Sequence, residues 1–215
     1  MNRVIQNYKS RKVLLELLKR QEFLVDEYEG FTVNEIDTMS REDTLDMFVT
    51  TDRNSNDPYR PFCKMYIKYV DTINVNSLED ILTDLFENAE EKYRLRKELD
   101  TLTIVSKDEL NEKMQNYLVT LFETRRIFVT IIFIKRLQFN VLNHELQPKE
   151  ISILTSKEKE NLIEKYNINN YMTDIPEISR FDPLALALFL KPGDICRLVR
   201  DSPVAISTEY YRVCK

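Results

Sequence analysis

The sequence predicts an α+β protein in two parts: an α/β layered domain over residues 1–140, then a small α+β domain over residues 141–215. Three observations carry this. Up to residue 134, stretches of helical periodicity alternate with short β-rich runs, the grammar of a layered α/β domain. After residue 140 the grammar changes to short capped helices, a Pro-Gly turn and two closing strands. Hydrophobic residues make up 43% and charged residues 31% of the chain, which gives each part a core and a polar surface.

The elements of the first part follow in order. Val4, Ile5, Tyr8, Val13, Leu14, Leu17 and Leu18 fall near helical spacing, so residues 3 to 20 read as a helix. Phe23, Leu24 and Val25 form a short strand, with Gly30 after it. Ser40, with Asp43 three residues on, is expected to open a short helix. Asp52 to Pro61 reads as a loop from its Asn, Asp and Pro content. Met65, Ile67 and Tyr69 alternate against Lys64, Tyr66 and Lys68, the period of a strand. Ser77 and Asp80 are expected to cap a helix running to about Leu99. Thr101 to Val105 is a strand, and Ser106 with Glu109 a capping box for a helix reaching Thr124. Ile127 to Ile134 is apolar on both faces, which suits a central strand.

In the second part Thr155 and Glu158 form a capping box for a helix carrying Leu162, Ile163 and Tyr166. Asp182-Pro183 is a helix start, with Asp as the cap and Pro at the first helical position, where its missing N–H costs nothing. Leu184 to Leu190 is the apolar helix that follows. Pro192-Gly193 marks a type II turn. Ile195 to Arg200 and Thr208 to Val213 are strands of a hairpin with a connection of about seven residues.

Composition excludes several functions. Two glycines, Gly30 and Gly193, cannot build a phosphate-cradling loop. One histidine, His144, and no G-x-S-x-G turn disfavour a serine hydrolase. Cys63, Cys196 and Cys214 are scattered, which fits idle thiols in a reducing compartment and not a zinc site. No metal or other cofactor is expected. Residues 1–140 carry 21 basic and 25 acidic side chains and the remainder 10 and 11, so neither part has the cationic footprint of a stand-alone nucleic-acid binder. No apolar run reaches the ~18 residues of a membrane span. With no apolar signal core at the N-terminus, an intracellular place and no membrane partner are expected.

The second part carries a resemblance. His144-Glu145-Leu146, Pro148, Leu154-Thr155, Lys165-Tyr166, Ile175-Pro176, Ile178, Asp182-Pro183, Ala185, Lys191, Gly193-Asp194, Arg200, Ser202 and Tyr211-Arg212-Val213 keep one order and spacing over about 70 residues. In these positions the chain resembles the family of the eukaryotic RNA polymerase fifth subunit and the archaeal H subunit. It departs from that family at Phe189-Leu190, where a Gly is usual, and at Pro203 to Ser207, where a Glu-Thr-Ala-Gly-like run is usual. The first part resembles the family's jaw domain only in length and helix–strand order. The total length suits the eukaryotic form, since the archaeal one lacks the jaw.

The resemblance implies a non-catalytic polymerase subunit. Its C-terminal domain would dock on the largest subunit, and its nuclease-like jaw would lie near downstream DNA within the assembled enzyme. His144, Pro148, Asp182, Pro183, Gly193, Arg200, Ser202, Tyr211 and Arg212 are the candidate assembly residues. For Arg200 and Arg212, an interface anchor and an ion pair within the domain are both open readings. Lys92, Arg94, Arg96 and Lys97 are candidates for DNA contact, interleaved with Glu90, Glu91 and Glu98. Glu90 and Lys92 also spell half of a metal-dependent nuclease site, the rival reading; their expected helical setting favours a solvated face. The many Asn, Ile and Lys residues suit an AT-rich genome, of a eukaryote or of a large DNA virus. Location would follow: the nucleus in one case, a virus factory or virion in the other.

Overall fold

The structure is a computed structural model and describes residues 3–51, 63–202 and 204–215. The predicted loop Asp52 to Pro61 lies outside the described residues, as does Pro203. The chain is α+β, with two sheets in two compact units, one ending at Asn140 and the other beginning at Val141.

The N-terminal unit opens with helix α1 (Arg3–Arg20), which buries Val13, Leu14, Leu17 and Leu18. Strand β1 (Phe23–Leu24) and a 3-10 turn (Asp26–Tyr28) lead into α2 (Val33–Arg41). The cap of α2 is Thr32, whose hydroxyl accepts from the Glu35 amide, while the Glu35 carboxylate accepts from the Thr32 amide. The expected start at Ser40 is therefore wrong. Ser40 lies in the last turn and its hydroxyl accepts from Asn7 Nδ2 at 2.8 Å, while Asp43 stands in the left-handed region.

Strands β2 (Met47–Thr51), which the sequence reading missed, and β3 (Lys64–Val70) follow. Helix α3 (Val75–Thr83) is capped by Asn74 with Ser77 at the third position, so the cap stands three residues before the expected Ser77. It does not run to Leu99. It ends in a π turn (Asp84–Asn88), and residues 89–100 form irregular turns. Strand β4 (Thr101–Ser106) precedes α4 (Glu112–Arg125), which is capped by Asn111 and not by Ser106, because Ser106 is the last residue of the strand. Strand β5 (Phe128–Phe133) completes the sheet.

The sheet order is β1-β2-β3-β4-β5, antiparallel as far as β3 and parallel from β3 to β5. The two parallel steps each cross over through a helix, as parallel pairing requires. Strand β4 is buried at all six positions. Ile127 to Ile134, expected as a central strand, lies at the edge instead and pairs with β4. Its two-faced apolarity reflects cover on both faces, since Phe128 to Ile132 are all buried, and says nothing of how many neighbours pair with it.

The C-terminal unit contains β6 (Glu150–Ile153), α5 (Ser156–Tyr166), the one-turn α6 (Tyr171–Asp174), β7 (Glu177–Ile178), α7 (Pro183–Leu188), β8 (Ile195–Ser202) and β9 (Ile206–Cys214). Its sheet runs β6-β8-β9-β7, with β7 parallel to β9 and the other pairs antiparallel. The Thr155–Glu158 capping box and the Asp182-Pro183 helix start stand as expected. The hairpin is tighter than expected. Pairing continues to Ser202 opposite Ile206, leaving a three-residue connection where about seven were expected.

Helix α7 ends at Leu188 because Phe189 turns left-handed, with φ 54° and its amide donating back to Leu186 O at 3.3 Å. It lies in the Phe189-Leu190 stretch where the resemblance leads one to expect a Gly, and a residue without Cβ would meet no steric penalty in this conformation. Leu162, Ile175, Ile195 and Val213 form the core between α5 and the sheet. Cys196 and Cys214 are buried, and burial pushes their thiols up to about 11 and about 12.

Candidate assembly site of the C-terminal unit

The hairpin geometry sorts the singled-out residues by face. Register places Cys196 opposite Arg212, Leu198 opposite Tyr210 and Arg200 opposite Thr208. Because side chains alternate along a strand, Cys196, Leu198, Arg200, Tyr210 and Arg212 share one face, and Arg197, Glu209 and Tyr211 the other. On the first face Arg200, Tyr210 and Arg212 are exposed. The Arg200 guanidinium sits 5.9 Å from the Tyr210 ring centroid, and Arg212 Nη1 donates to Glu177 O at 3.4 Å. Among the described residues neither arginine closes an ion pair within the unit. On the second face Arg197 pairs with Glu209, the Tyr211 hydroxyl donates to Glu209 Oε2 at 2.8 Å, and the Tyr166 and Tyr211 rings lie 6.3 Å apart.

The other motif residues set backbone. Asp182 Oδ1 accepts from the Leu184 amide at 2.8 Å and Pro183 occupies the first helical position. Gly193 has φ 95° in the Lys191–Asp194 turn, its amide donates to Cys214 O at 2.9 Å, and its carbonyl accepts from Lys159 Nζ at 3.2 Å. The neighbouring Asp194 carboxyl is pushed up by burial, and its Oδ2 accepts from the Lys191 amide at 2.8 Å. Ser202 Oγ accepts from the Val204 and Ala205 amides and so shapes the hairpin connection, where Val204 and Ile206 are exposed. Pro148 is buried. His144 is exposed and its Nδ1 accepts from the Leu146 amide at 3.2 Å, with Leu146 itself bare to solvent. The motif thus divides into scaffold positions and an exposed set of His144, Arg200 and Arg212. Leu146, Tyr210, Val204 and Ile206 extend the exposed set; of these, the sequence reading singled out none as a site residue, since exposure of an apolar side chain is invisible in a lone sequence.

The basic run of the N-terminal unit lies on the irregular segment, not on a helix. The Lys92 ammonium stands 5.2 Å from the Tyr93 ring centroid, and Arg94 donates to Glu87 O. Arg96 is committed to buried Asp100, and Lys97 is exposed. Glu90 and Lys92 stand outside the strands, eleven and nine residues before β4 begins at Thr101, so the helical face expected for them is corrected to a turn. No group of three or more metal-ligating side chains occurs among the described residues. The crevice past the carboxyl ends of β3 and β4, where α/β folds usually hold ligands, is bridged by Asp71 between Lys107 and Arg3. The space there is about 40 Å³, little more than one water occupies.

The family described as RNA polymerase Rpb5, C-terminal domain, matches residues 139–214. The DNA-directed RNA polymerase subunit Rpo5 of Thermococcus onnurineus is 42% identical over 76 residues, 35% of this chain and 89% of the relative. The subunit of that name from Pyrococcus abyssi is 45% identical over the same length. The Dictyostelium discoideum DNA-directed RNA polymerases I, II, and III subunit rpabc1 is 26% identical over 216 residues, covering 100% of this chain and 98% of its own. The class is that of the subunits of multisubunit DNA-directed RNA polymerases. Within it, the chain belongs to the Rpb5/Rpo5 family.

Proposed function

We propose that the chain is a non-catalytic subunit of DNA-directed RNA polymerase that braces the enzyme through residues 141–215 and contributes residues 1–140 as a jaw. One observation carries the reading: the Rpb5 C-terminal domain model matches residues 139–214, and a 76-residue match covers 89% of an archaeal polymerase subunit. A module that makes up nearly all of one subunit is the assembly-competent part of a longer one. The full-length match to the Dictyostelium subunit extends the reading to the N-terminal unit.

The largest polymerase subunit is the proposed docking partner, and the face bearing Arg200, Tyr210 and Arg212 the proposed surface. Exposed aromatic and arginine side chains are frequent anchors of protein interfaces. The jaw, nuclease-like by resemblance, would lie beside downstream DNA within the assembled enzyme, with Lys92, Arg94 and Lys97 as the cations left to meet phosphate. An intracellular place goes with this role, nuclear or in a virus factory. The test is co-expression of fragments 1–140 and 141–215 with the largest subunit, followed by affinity purification. Fragment 141–215 is expected to co-purify on its own. Retention of fragment 1–140 alone would reverse the assignment of the two domains. The nuclease reading is tested by incubating the purified chain with DNA and Mg²⁺. Cleavage lost in Glu90→Ala would overturn the subunit-only role.

A further inference from the structure

Strand β9 leaves one edge open. In an antiparallel ladder one residue turns its amide and carbonyl toward the partner strand, and the next turns both away. The Cys214 amide donates to Asp194 O at 2.8 Å, toward β8, while the Val213 amide donates to Pro176 O at 2.9 Å, toward β7. The register of β8 on β9 runs unbroken from Val213 to Ile206. Tyr211, Glu209 and Ser207 therefore share the outward sense of Val213. Strand β7 meets only Val213 and Cys214, and among the described residues no other strand pairs with β9 on that side. The Ser207 amide donates to Ala205 O. The amides and carbonyls of Glu209 and Tyr211 are left without a partner strand.

Open edges are ordinarily shielded by proline, lysine, a bulge or shortness. From Ile206 to Arg212 there is no proline, no lysine and no bulge. Thr208, Tyr210 and Tyr211 are strand formers. The Glu209 charge is answered within the sheet by Arg197 and by the Tyr211 hydroxyl. The opposite edge of the same sheet differs: β6 is four residues long, and Pro148 and Lys149 precede it. An extended backbone satisfies the outward groups of β9 in register, because its own donors and acceptors recur at alternate residues.

Charge selects the occupant. Arg212 and Tyr210 stand on one face of this edge, with Arg200 farther along, and among the described residues neither arginine closes an ion pair. A second copy of β9 laid against the first would add the same cations to that face. A segment with a carboxylate there would pair them.

We propose that the edge of β9 from Ser207 to Tyr211 takes an extended segment of the largest polymerase subunit as a fifth strand. The segment continues the slot that β7 fills opposite Val213 and Cys214, and it sets an acidic side chain on the Arg212 face. The proposal rests on the assembly reading above and adds the manner of holding: main chain to main chain, with the arginines choosing the sequence.

The test uses the full chain, affinity-tagged and co-expressed with the largest subunit. Hydrogen exchange at single amides is read by fragmentation mass spectrometry in the free chain and in the complex. The Glu209 and Tyr211 amides are expected to exchange freely in the free chain and about 100-fold or more slower in the complex. The Thr208 and Tyr210 amides, already in the ladder with β8, serve as the slow reference in both. Glu209→Pro removes one outward amide at an edge position, where proline leaves the β8 ladder intact, and is expected to lower retention about tenfold or more. Glu209→Ala loses the same carboxylate, keeps the amide and is expected to be retained like wild type. A complex in which both amides stay fast, or equal retention of the Pro and Ala variants, would overturn the proposal alone. Slow exchange of both amides in the free chain, together with a dimeric mass, would give the edge to a second copy and overturn it too. Failure of the wild-type chain to co-purify would overturn the assembly reading and the proposal with it. The exchange readings come from the wild-type chain, so the outcome does not hang on a variant folding.

Discussion

Arg96 and Asp100 close the irregular segment on itself. Arg96 Nε and Nη2 each donate to the fully buried Asp100 carboxylate at 2.9 Å, and the same carboxylate accepts from the Arg96 and Lys64 amides at 2.7 Å. Asp100 thus fastens the turns after α3 to the start of β3. Asp100→Ala would strand two amides, while the Arg96 guanidinium, 43% exposed, can turn to water. The expected loss is about 1–3 kcal/mol, the cost of leaving buried donors unsatisfied, read as the shift in the urea midpoint. Lys92→Ala and Lys97→Ala are expected to leave that midpoint within about 0.5 kcal/mol, as surface changes do. A small effect of Asp100→Ala would show that the carboxylate does not hold the segment.

Gly193 is held at φ 95°, and an added Cβ would meet only the Tyr171 hydroxyl at 3.9 Å, an ordinary contact. The penalty for substitution is therefore backbone strain and not a clash. Gly193→Val is expected to cost roughly 1–3 kcal/mol. In a domain of this size that lowers Tm by about 4–8 °C per kcal/mol, measurable by calorimetry. A variant melting like wild type would refute the assigned conformation.

Phe189 sets two effects against each other. Its left-handed backbone costs about 1–2 kcal/mol, while its side chain, 8% exposed, contributes roughly 1.5–3 kcal/mol by burial. Phe189→Gly removes both and should destabilise by about 1 kcal/mol. Phe189→Val loses burial and worsens the strain, and should cost more than the Gly variant. Chemical denaturation of the pair checks the order, and a Val variant at least as stable as Gly would contradict it.

The Glu79 carboxyl is held below the usual carboxylate range by the Tyr117 hydroxyl and the Arg125 guanidinium, the latter at 2.8 Å. Burial, and then Glu79, push the Tyr117 hydroxyl up to about 12. The signs bracket a window. The depressed carboxyl contributes stability that is complete above its unfolded pKa of about 4.3 and is lost as pH falls through the folded value. The raised phenol contributes stability that is complete below its unfolded pKa of about 10 and is lost as pH rises through about 12. In stability-against-pH curves, Glu79→Gln should flatten the acid limb relative to wild type. An unchanged acid limb would show the link to be without consequence.

Arg200 and Arg212 share one hairpin face with exposed Tyr210 between them. If both meet a partner's buried carboxylates or carbonyls, each Ala variant should lose about 2–5 kcal/mol of assembly free energy. A rim position would lose under about 1 kcal/mol. Competition binding of folded variants to the largest polymerase subunit distinguishes the two, and undiminished binding by both variants would remove them as anchors.

Much of the C-terminal unit was legible in the sequence because its signals are local. Thr155 reaches Glu158 and Asp182 reaches the Leu184 amide within a few residues, and Pro-Gly sets its own turn. The N-terminal helix starts misled because the same residue types serve distant partners. Ser40 bonds Asn7, Ser106 ends a strand, and the true caps Thr32, Asn74 and Asn111 stand close by. The false extension of α3 to Leu99 has the same origin. The segment's amphipathic pattern is helical, but Asp100 gathers the amide of Arg96 and that of Lys64, 36 residues away, and so fixes turns. The exposed set on the hairpin was half legible: the arginines through their motif, but not the apolar side chains, whose exposure depends on tertiary packing. Arg11 was not singled out in the sequence, since only the packed structure reveals its burial.

The two buried thiols turn the C-terminal unit into its own clock. A thiol held near 11 or 12 is almost entirely protonated at neutral pH, and alkylating reagents attack the thiolate. Cys196 faces Arg212 across the hairpin, and Cys214 lies in the last strand. Neither should be modified until the β8–β9 ladder parts. The rate at which a maleimide consumes them therefore measures how often that hairpin opens, without any label being introduced. Cys63, half-buried in the other unit, supplies a separate phase from the same chain. Capture by a binding partner would slow the first two clocks and leave the third running, so mass-resolved labelling could follow assembly one unit at a time.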